Sequence, residues 1–397
     1  MRVVIVGAGQ AGASVAAKLR ALGATGPITL IGDEAAPPYQ RPPLSKAYLL
    51  GEMEEARLWL RSPEFWAENQ IELRLGHPVT AIDRQAKTVT VGDQQIAYDQ
   101  LVLTTGSSPR RLPAEIGGDL PGVFTVRNLA DVDQMRREFT AGRRLVVIGG
   151  GYIGLEAAAV ARKLGLEVTL VEMAPRILGR VASAETADFV RKTHHEKGVT
   201  ILEATGLERI MGQDRVTGVR LQDGREIAAD FVVVGVGITP GAALAEAAGI
   251  ALDNGIATDA HGRTSDPAIW AAGDCASFPW QGGRIRLESV GNAIDQGEIV
   301  AENILGAAKT YEAKPWFWSD QYDLKLQIAG LNIGYDRVVT RDLGGVSHWY
   351  YRGETLLAVD AMGDARAYMV GKRLIEAGKS PAPDQITSTP DLKALLK

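Results

Sequence analysis

Val3-Val4-Ile5-Val6-Gly7-Ala8-Gly9-Gln10-Ala11-Gly12 stands at the start of the chain, and Leu145-Val146-Val147-Ile148-Gly149-Gly150-Gly151-Tyr152-Ile153-Gly154 repeats its pattern. Each stretch reads as an apolar strand, a glycine turn and the start of a helix. Each helix then ends at Leu-Gly, at Leu22-Gly23 and Leu164-Gly165, where glycine supplies the left-handed closing turn. A second strand follows in both copies, Ile28-Thr29-Leu30-Ile31 and Val168-Thr169-Leu170-Val171. Such crossovers build parallel sheets. The expected fold class is therefore α/β, with two Rossmann-like dinucleotide-binding domains. The spacing G-x-G-x-x-G has a physical meaning in this context. The first glycine makes the turn, the second admits a pyrophosphate to the backbone, and the third lets helix pack on strand. The phosphates then meet the free N–H groups of a helix N-terminus. Two copies imply two dinucleotides: one on Gly7, Gly9, Ala11 and Gly12, the other on Gly149, Gly151, Tyr152, Ile153 and Gly154.

The acid after the second strand separates the ligands. In the later copy Glu172 ends that strand. A carboxylate there accepts both ribose hydroxyls and repels a 2′-phosphate, so NAD is expected rather than NADP. Arg176 and Arg180 lie nearby and weigh the other way. In the earlier copy the same position is Gly32, and the acids follow it, so Asp33 is the expected ribose partner.

The rest of the chain fits around these units. Leu75 to Ala97 alternates like an antiparallel sheet, and Leu101-Val102-Leu103-Thr104-Thr105-Gly106 reads as a buried strand. Further buried strands are read at Asp230 to Gly237 and Ala268 to Asp274. From about residue 315 the pattern becomes that of an antiparallel sheet (Leu326–Gly330, Arg337–Val339, Ser347–Tyr351, Thr355–Val359), followed by a helix near Ala365 to Ala377. Length bounds the reading: 397 residues suggest two or three domains. With 48 Asp+Glu against 43 Lys+Arg the net charge is −5, which argues against generic nucleic-acid or anionic-membrane binding. Cys275 is the single cysteine, so no intrachain disulfide, Cys-x-x-Cys pair or cysteine metal site can form. The uncharged stretch Phe231 to Ala245 is interrupted by Pro240 and glycines and does not read as a membrane span. A soluble, cytoplasmic protein is expected. His194 and His195 are adjacent and diverge on a helix, and they read as part of an ordinary surface helix.

Taken together, these motifs resemble those of the two-dinucleotide flavoprotein reductases of the glutathione-reductase superfamily. Thr104-Thr105-Gly106-Ser107-Ser108-Pro109 is similar to that family's A-T-G-x-x-P segment. Gly235-Val236-Gly237-Ile238-Thr239-Pro240 resembles the segment closing the nicotinamide domain. Thr264 to Pro267 and Ala272-Gly273-Asp274 resemble the return to FAD. Within the superfamily, Tyr39-Gln40-Arg41-Pro42-Pro43-Leu44-Ser45-Lys46, Glu288-Ser289-Val290 and Pro315-Trp316-Phe317-Trp318-Ser319-Asp320-Gln321 resemble the ferredoxin reductases of oxygenase systems. The cysteine pair that the glutathione-reductase type carries near the Lys46 segment has no counterpart, and Cys275 reads as a small buried side chain.

The resemblance implies FAD and NAD(H) as cofactors. It places the FAD domain at residues 1–112 and 243–314, the NAD domain at 113–242 and an α+β C-terminal domain at 315–397. Lys46 is implied near flavin N5, paired with Glu156; Tyr152 covers the flavin face where nicotinamide enters, and Trp318 marks the edge facing the acceptor. Asp33, Arg41, Lys46, Val79, Thr105, Gly106, Arg127, Gly273, Asp274, Glu288, Val290 and Trp318 join the first loop as FAD contacts. Glu156, Glu172, Gly235 and Gly237 join the second loop as NAD contacts. No metal is expected. The implied activity is transfer of electrons from NADH through FAD, singly, to a 2Fe–2S ferredoxin that serves a haem-thiolate monooxygenase or a Rieske dioxygenase. Two alternatives stand beside it: an NADH-dependent reductase of a small acceptor such as a quinone or monodehydroascorbate, and a non-enzymatic, NADH-switched flavoprotein of the apoptosis-inducing type. The chain is read as a monomer or homodimer. Arg284 and Arg286, two apart in a strand-like segment, are expected to share an exposed basic face for an acidic ferredoxin, with Lys325 and Arg57 as further candidates.

Overall fold

The computed structural model describes residues 1–397 and divides into two compact units. The first comprises Met1–Gln40, Glu55–Ser108 and Ile238–Pro315; the second comprises Arg41–Glu54, Pro109–Gly237 and Trp316–Lys397.

In the first unit five parallel strands lie in the order Ile269–Ala271, Gln100–Leu103, Val3–Val6, Ile28–Ile31, Ile71–Arg74. Every residue of Val3–Val6 and Ile28–Ile31 is buried, because both faces of the sheet are covered. On one face the helix Gln10–Ala21 packs closely with Val290–Ile304. Gly297 makes this approach possible: a Cβ there would lie 2.9 Å from the Ala11 carbonyl oxygen. Against the other face sits a three-stranded antiparallel sheet, Val79–Asp83, Thr88–Val91 and Gln94–Ala97, whose Val79, Val89 and Val91 share a core with Val6 and Ile31.

The second unit repeats the plan. Its parallel sheet runs Thr200–Leu202, Glu167–Val171, Arg144–Ile148, Phe231–Val234, Val123–Phe124. The antiparallel strands Leu207–Gly212, Val216–Leu221 and Glu226–Ala228 close a core with Val146, Ile148 and Val232. The same unit carries a five-stranded antiparallel sheet, ordered Trp316–Gln321, Leu324–Gly330, Thr355–Met362, Val346–Arg352, Arg337–Asp342. The helix Ala365–Glu376, capped by Asp364, buries Ala367, Val370 and Leu374 against it. Thr355–Met362 outruns its expected end at Val359 because its last residues pair with Leu326 and Gln327.

Candidate functional site

Each unit holds one glycine loop, and the two have the same geometry. Gly7 and Gly149 take φ of +112° and +104°, a region costly for other residues. A Cβ on Gly7 would lie 2.1 Å from the Thr104 carbonyl oxygen, and one on Gly149 would lie 2.3 Å from that of Gly235. Gly12 and Gly154 sit equally tight, with a Cβ 2.0 Å from the Gly7 oxygen and 2.2 Å from the Gly149 oxygen. The middle glycines differ: a Cβ on Gly9 or Gly151 would meet nothing within 4 Å. Gly9 and Gly151 also stand at the N-caps of their helices, with no side chain accepting from the first turn. Four other helices, starting after Asn128, Ser183, Ser289 and Asp364, are capped by those side chains. The two glycine-loop helices thus keep their first N–H groups and adjacent space open, which fits the pyrophosphate of a dinucleotide.

The positions expected to meet a ribose are exchanged in size between the copies. Glu172 accepts from the backbone N–H of Gly150 and of Ala174, each at 2.7 Å. Gly150 must be small here, since its Cβ would fall 2.6 Å from Ile177 and 3.2 Å from the Glu172 carboxylate. In the other loop Ala8 replaces that glycine, and a Cβ at Gly32 would lie 2.7 Å from the Ala8 methyl. A side chain at position 32 is therefore excluded. The next residue, Asp33, is exposed, while Glu34 receives the Tyr39 hydroxyl at 2.5 Å. Arg176 donates to the carbonyls of Ala182 and Ser183, at 2.9 and 3.1 Å, and is turned to its own loop. With Glu172 beside the loop and Arg176 engaged, NADH should exceed NADPH in kcat/KM by at least about tenfold, ~1.4 kcal/mol. Steady-state kinetics with both coenzymes checks this, and equal efficiencies would remove Glu172 from the role.

Several other sequence-selected residues of the first unit meet. Asp274 accepts from Ser107, beside the Thr105-Gly106 turn, at 2.8 Å. Gly273 donates its N–H to Gln296 at 2.8 Å, and a Cβ on it would lie 3.0 Å from that of Ala11. Thr105 donates to the Gly241 carbonyl. Val79 belongs to the apolar core. Val290 is the first residue of its helix, with Ser289 as N-cap. The expected face of Arg284 and Arg286 does not form. Arg284 turns to the Thr258 carbonyl at 2.8 Å and also holds that of Ser277. Arg286 binds the Asp274 carbonyl at 3.1 Å and Glu288 at 2.8 Å, its side chain only 9% exposed. Arg286 is drawn inward by these acceptors, whereas Arg284 stays exposed, held to backbone carbonyls and 3.6 Å from Asp253; Arg57 and Lys325 are exposed as well.

In the second unit, Arg41 donates to the Arg127 carbonyl at 2.9 Å. Lys46 lies 2.9 Å from Glu156, with side-chain exposures of 16% and 3%. The short turn Pro42–Ser45 carries Lys46, and the first turns of the helix Tyr152–Lys163 carry Glu156. Two serines that sequence reading missed complete the pair: Ser45 donates to Glu156 Oε2 at 2.6 Å, and Ser319 to Oε1 at 2.7 Å. Burial pushes the Glu156 carboxyl up, and Lys46 and the two hydroxyls pull against it. Tyr152 leans on Phe317, ring centroids 4.8 Å apart, and its hydroxyl is buried without a partner. Burial raises that hydroxyl well above its ordinary range. Trp318 stacks on Trp316 at 5.5 Å, while Phe317 and Ser319 alternate to the other side of the strand. Gly237 takes φ of +103°, and its carbonyl receives the N–H of Arg110.

His194 departs from its reading as a surface residue. It is fully buried, on the stripe Ala187, Val190, His194 of the helix Ala184–Glu196. That 3–4 spacing was legible in the sequence and outweighs the polarity of its neighbours.

Two uncapped glycine loops on parallel sheets, one with the Glu172 carboxylate beside it, define a two-dinucleotide oxidoreductase. The model for the pyridine nucleotide-disulphide oxidoreductases matches residues 1–297, and a reductase C-terminal model matches 316–396. The chain belongs to the pyridine nucleotide-disulphide oxidoreductase family. It is an oxidoreductase, and its cofactors are FAD and NAD(H). Rhodocoxin reductase from Rhodococcus erythropolis is 42% identical over 100% of this chain and 94% of its own length. Putidaredoxin reductase from Pseudomonas putida is 44% identical over 94% of this chain and 91% of its own. The crystal structure of a covalent putidaredoxin reductase–putidaredoxin complex superposes with a TM-score of 0.96 at 41% identity, covering 100% of this chain and 98% of that one. No helix is long and apolar enough to cross a membrane.

Proposed function

We propose that the chain is an NADH:ferredoxin reductase that passes electrons, one at a time, to a 2Fe–2S ferredoxin serving a haem-thiolate monooxygenase or Rieske dioxygenase. The carrying observation is the thiol inventory. The family is named for disulphide chemistry, yet this chain has one cysteine. Cys275 is buried, its Sγ facing the carbonyls of Leu103 and Ala272 at 3.5 and 3.4 Å, and burial raises its thiol. No dithiol can relay electrons, so they must leave the flavin directly. The relatives named for rhodocoxin and putidaredoxin support a small redox protein as the acceptor.

FAD, when bound, supplies the change from two-electron to one-electron transfer. In this reading residues 1–112 and 243–314 hold it, 113–242 hold NADH, and 315–397 form the C-terminal domain. Gly7, Gly9, Ala11 and Gly12 seat its pyrophosphate, Asp33 its ribose, and Gly273 and Asp274 its ribityl–phosphate region. Arg41, Val79, Thr105, Gly106, Arg127, Glu288 and Val290 complete the contacts. Gly149, Gly151, Ile153 and Gly154 seat the NADH pyrophosphate, Gly235 and Gly237 line it, and Glu172 takes the ribose. Lys46 stabilises negative charge beside the flavin, and Glu156 keeps it in place. Tyr152 covers the nicotinamide position, and Trp318 lies toward the acceptor. The reaction runs in the cytoplasm.

Cytochrome c reduction by NADH, with and without an acidic 2Fe–2S ferredoxin, tests the proposal. Strong ferredoxin dependence that weakens as salt screens charge over ~8–10 Å is expected. Full activity without ferredoxin, indifferent to salt, would identify a small-acceptor reductase instead.

A further inference from the structure

Beyond Ser319, polar contacts continue through the interior of the second unit. Gln321 Nε2 lies 3.0 Å from Ser319 Oγ. Gln321 Oε1 lies 2.8 Å from His194 Nε2, and His194 Nδ1 lies 3.1 Å from the Tyr322 hydroxyl. Ser319, Gln321 and His194 are each fully buried. Ser319 and Gln321 are two apart on one strand and share a face.

The direction of every bond follows from the first. An ionised carboxylate only accepts, so Ser319 donates its single proton to Glu156. Ser319 Oγ must then accept from the Gln321 amide N–H, which turns Oε1 toward His194. Oε1 only accepts, so His194 carries its proton on Nε2 and Nδ1 is bare. Tyr322 therefore donates to Nδ1. Four hydrogen bonds point one way, from Tyr322 to Glu156, and aligned donors of this kind strengthen one another at low dielectric. One observation agrees with this order: burial lowers the His194 imidazole to about 4, which keeps it neutral at working pH. Tyr322 is the first residue of the two-residue turn joining Trp316–Gln321 to Leu324–Gly330, and its φ of 60° is the left-handed value that such turns take.

We propose that His194, Gln321 and Ser319 form a one-way donor relay that holds Glu156 as the carboxylate facing Lys46, with His194 and Gln321 as positioning residues for flavin reduction. The relay stands on these contacts; its catalytic effect rests on the reading that places Lys46 and Glu156 beside the flavin. Lys46 and Tyr152 are the titratable groups facing Glu156; Tyr322 faces His194, the exposed neighbour His195 acts on it only through charge, and Lys197 lies 5.6 Å from the Tyr322 ring.

The test compares His194→Leu, which removes the donor, with His194→Gln, whose amide restores one near Nε2, and with Gln321→Leu. The rate of flavin reduction by NADH is followed against pH in the holoenzyme. Both leucine variants should raise the acid limb by roughly 0.5 pH unit or more, since fewer donors then favour the carboxylate; His194→Gln should follow the parent enzyme. Nitrogen-15 NMR of the histidines should show His194 protonated on Nε2. Unshifted profiles in both leucine variants, or a proton on Nδ1, would overturn the relay. Lys46→Met separates the two ideas: if it leaves flavin reduction untouched, the placement of the pair fails, and the His194 tautomer still decides the relay. Should His194→Leu not fold, Gln321→Leu and the tautomer decide between the two outcomes.

Discussion

Gly9→Val is expected to yield a folded protein that has lost FAD. The backbone at Gly9, φ −89° and ψ −162°, is one that valine adopts without strain. A Cβ there meets no protein atom within 4 Å, so the apoprotein should melt within about 2 °C of the parent apoprotein, the shift of a sub-kcal/mol change. The isopropyl group would instead occupy the space over the open N–H groups of the helix Gln10–Ala21. FAD binding should weaken at least about a hundredfold, ~2.8 kcal/mol. Visible absorbance of the purified protein and FAD titration of the apoprotein measure it. Gly12→Val is the contrast, because its Cβ would sit 2.0 Å from a backbone oxygen and must disturb the fold itself. If Gly9→Val purified with full flavin, the first loop would not be the pyrophosphate seat.

Lys46→Met should cost about 3 kcal/mol at neutral pH, because it strips the counter-ion from a buried carboxylate. The cost should depend on pH with a definite sign. Burial already holds Glu156 above its ordinary range, and Lys46 is foremost among the groups opposing that shift. Without Lys46 the folded-state value rises further, so the folded chain binds a proton that the unfolded chain releases. Stability then falls as pH rises from the ordinary glutamate range through the raised value. The deficit should be small in acid, where Glu156 is protonated in both states, and largest at alkaline pH. Thermal unfolding of parent and variant across pH 4 to 9 checks this at roughly one-unit steps. A deficit independent of pH would mean that Lys46 contributes only packing. If Lys46 stands beside the flavin as proposed, hydride transfer should slow as well, since a positive charge that would stabilise the reduced ring is gone.

Much of this molecule is local, and what is local was legible. The glycine loops are short-range devices: turn, open N-cap and tight helix contact all lie within a dozen residues, so their spacing announced them. The all-apolar strands before each loop, buried on both faces, announced the parallel sheets in the same way. Glu172 was picked out by its place at the end of the second strand, whereas the room it occupies beside Gly150, and the Ala8 methyl that closes position 32 to a side chain, belong to the tertiary structure. The family motif around Lys46 pointed to Glu156 across more than a hundred positions, but only through resemblance.

The sequence by itself determined the two dinucleotide loops, the parallel strands that flank them and the absence of any disulfide relay. Tertiary structure alone decided what surrounds the charged groups. Ser45 and Ser319 reach Glu156 from distant segments, and no periodicity tells a serine which carboxylate it will meet. Arg284 and Arg286 alternate like exposed charges, yet both are tied to backbone carbonyls and Arg286 is turned inward. His194 lies between: its stripe was readable, whereas its partners Gln321 and Tyr322 were not. The reason is physical. Strand and helix periods repeat along the chain and leave a record in it, but a hydrogen bond between remote side chains depends on angles accumulated over every element between them.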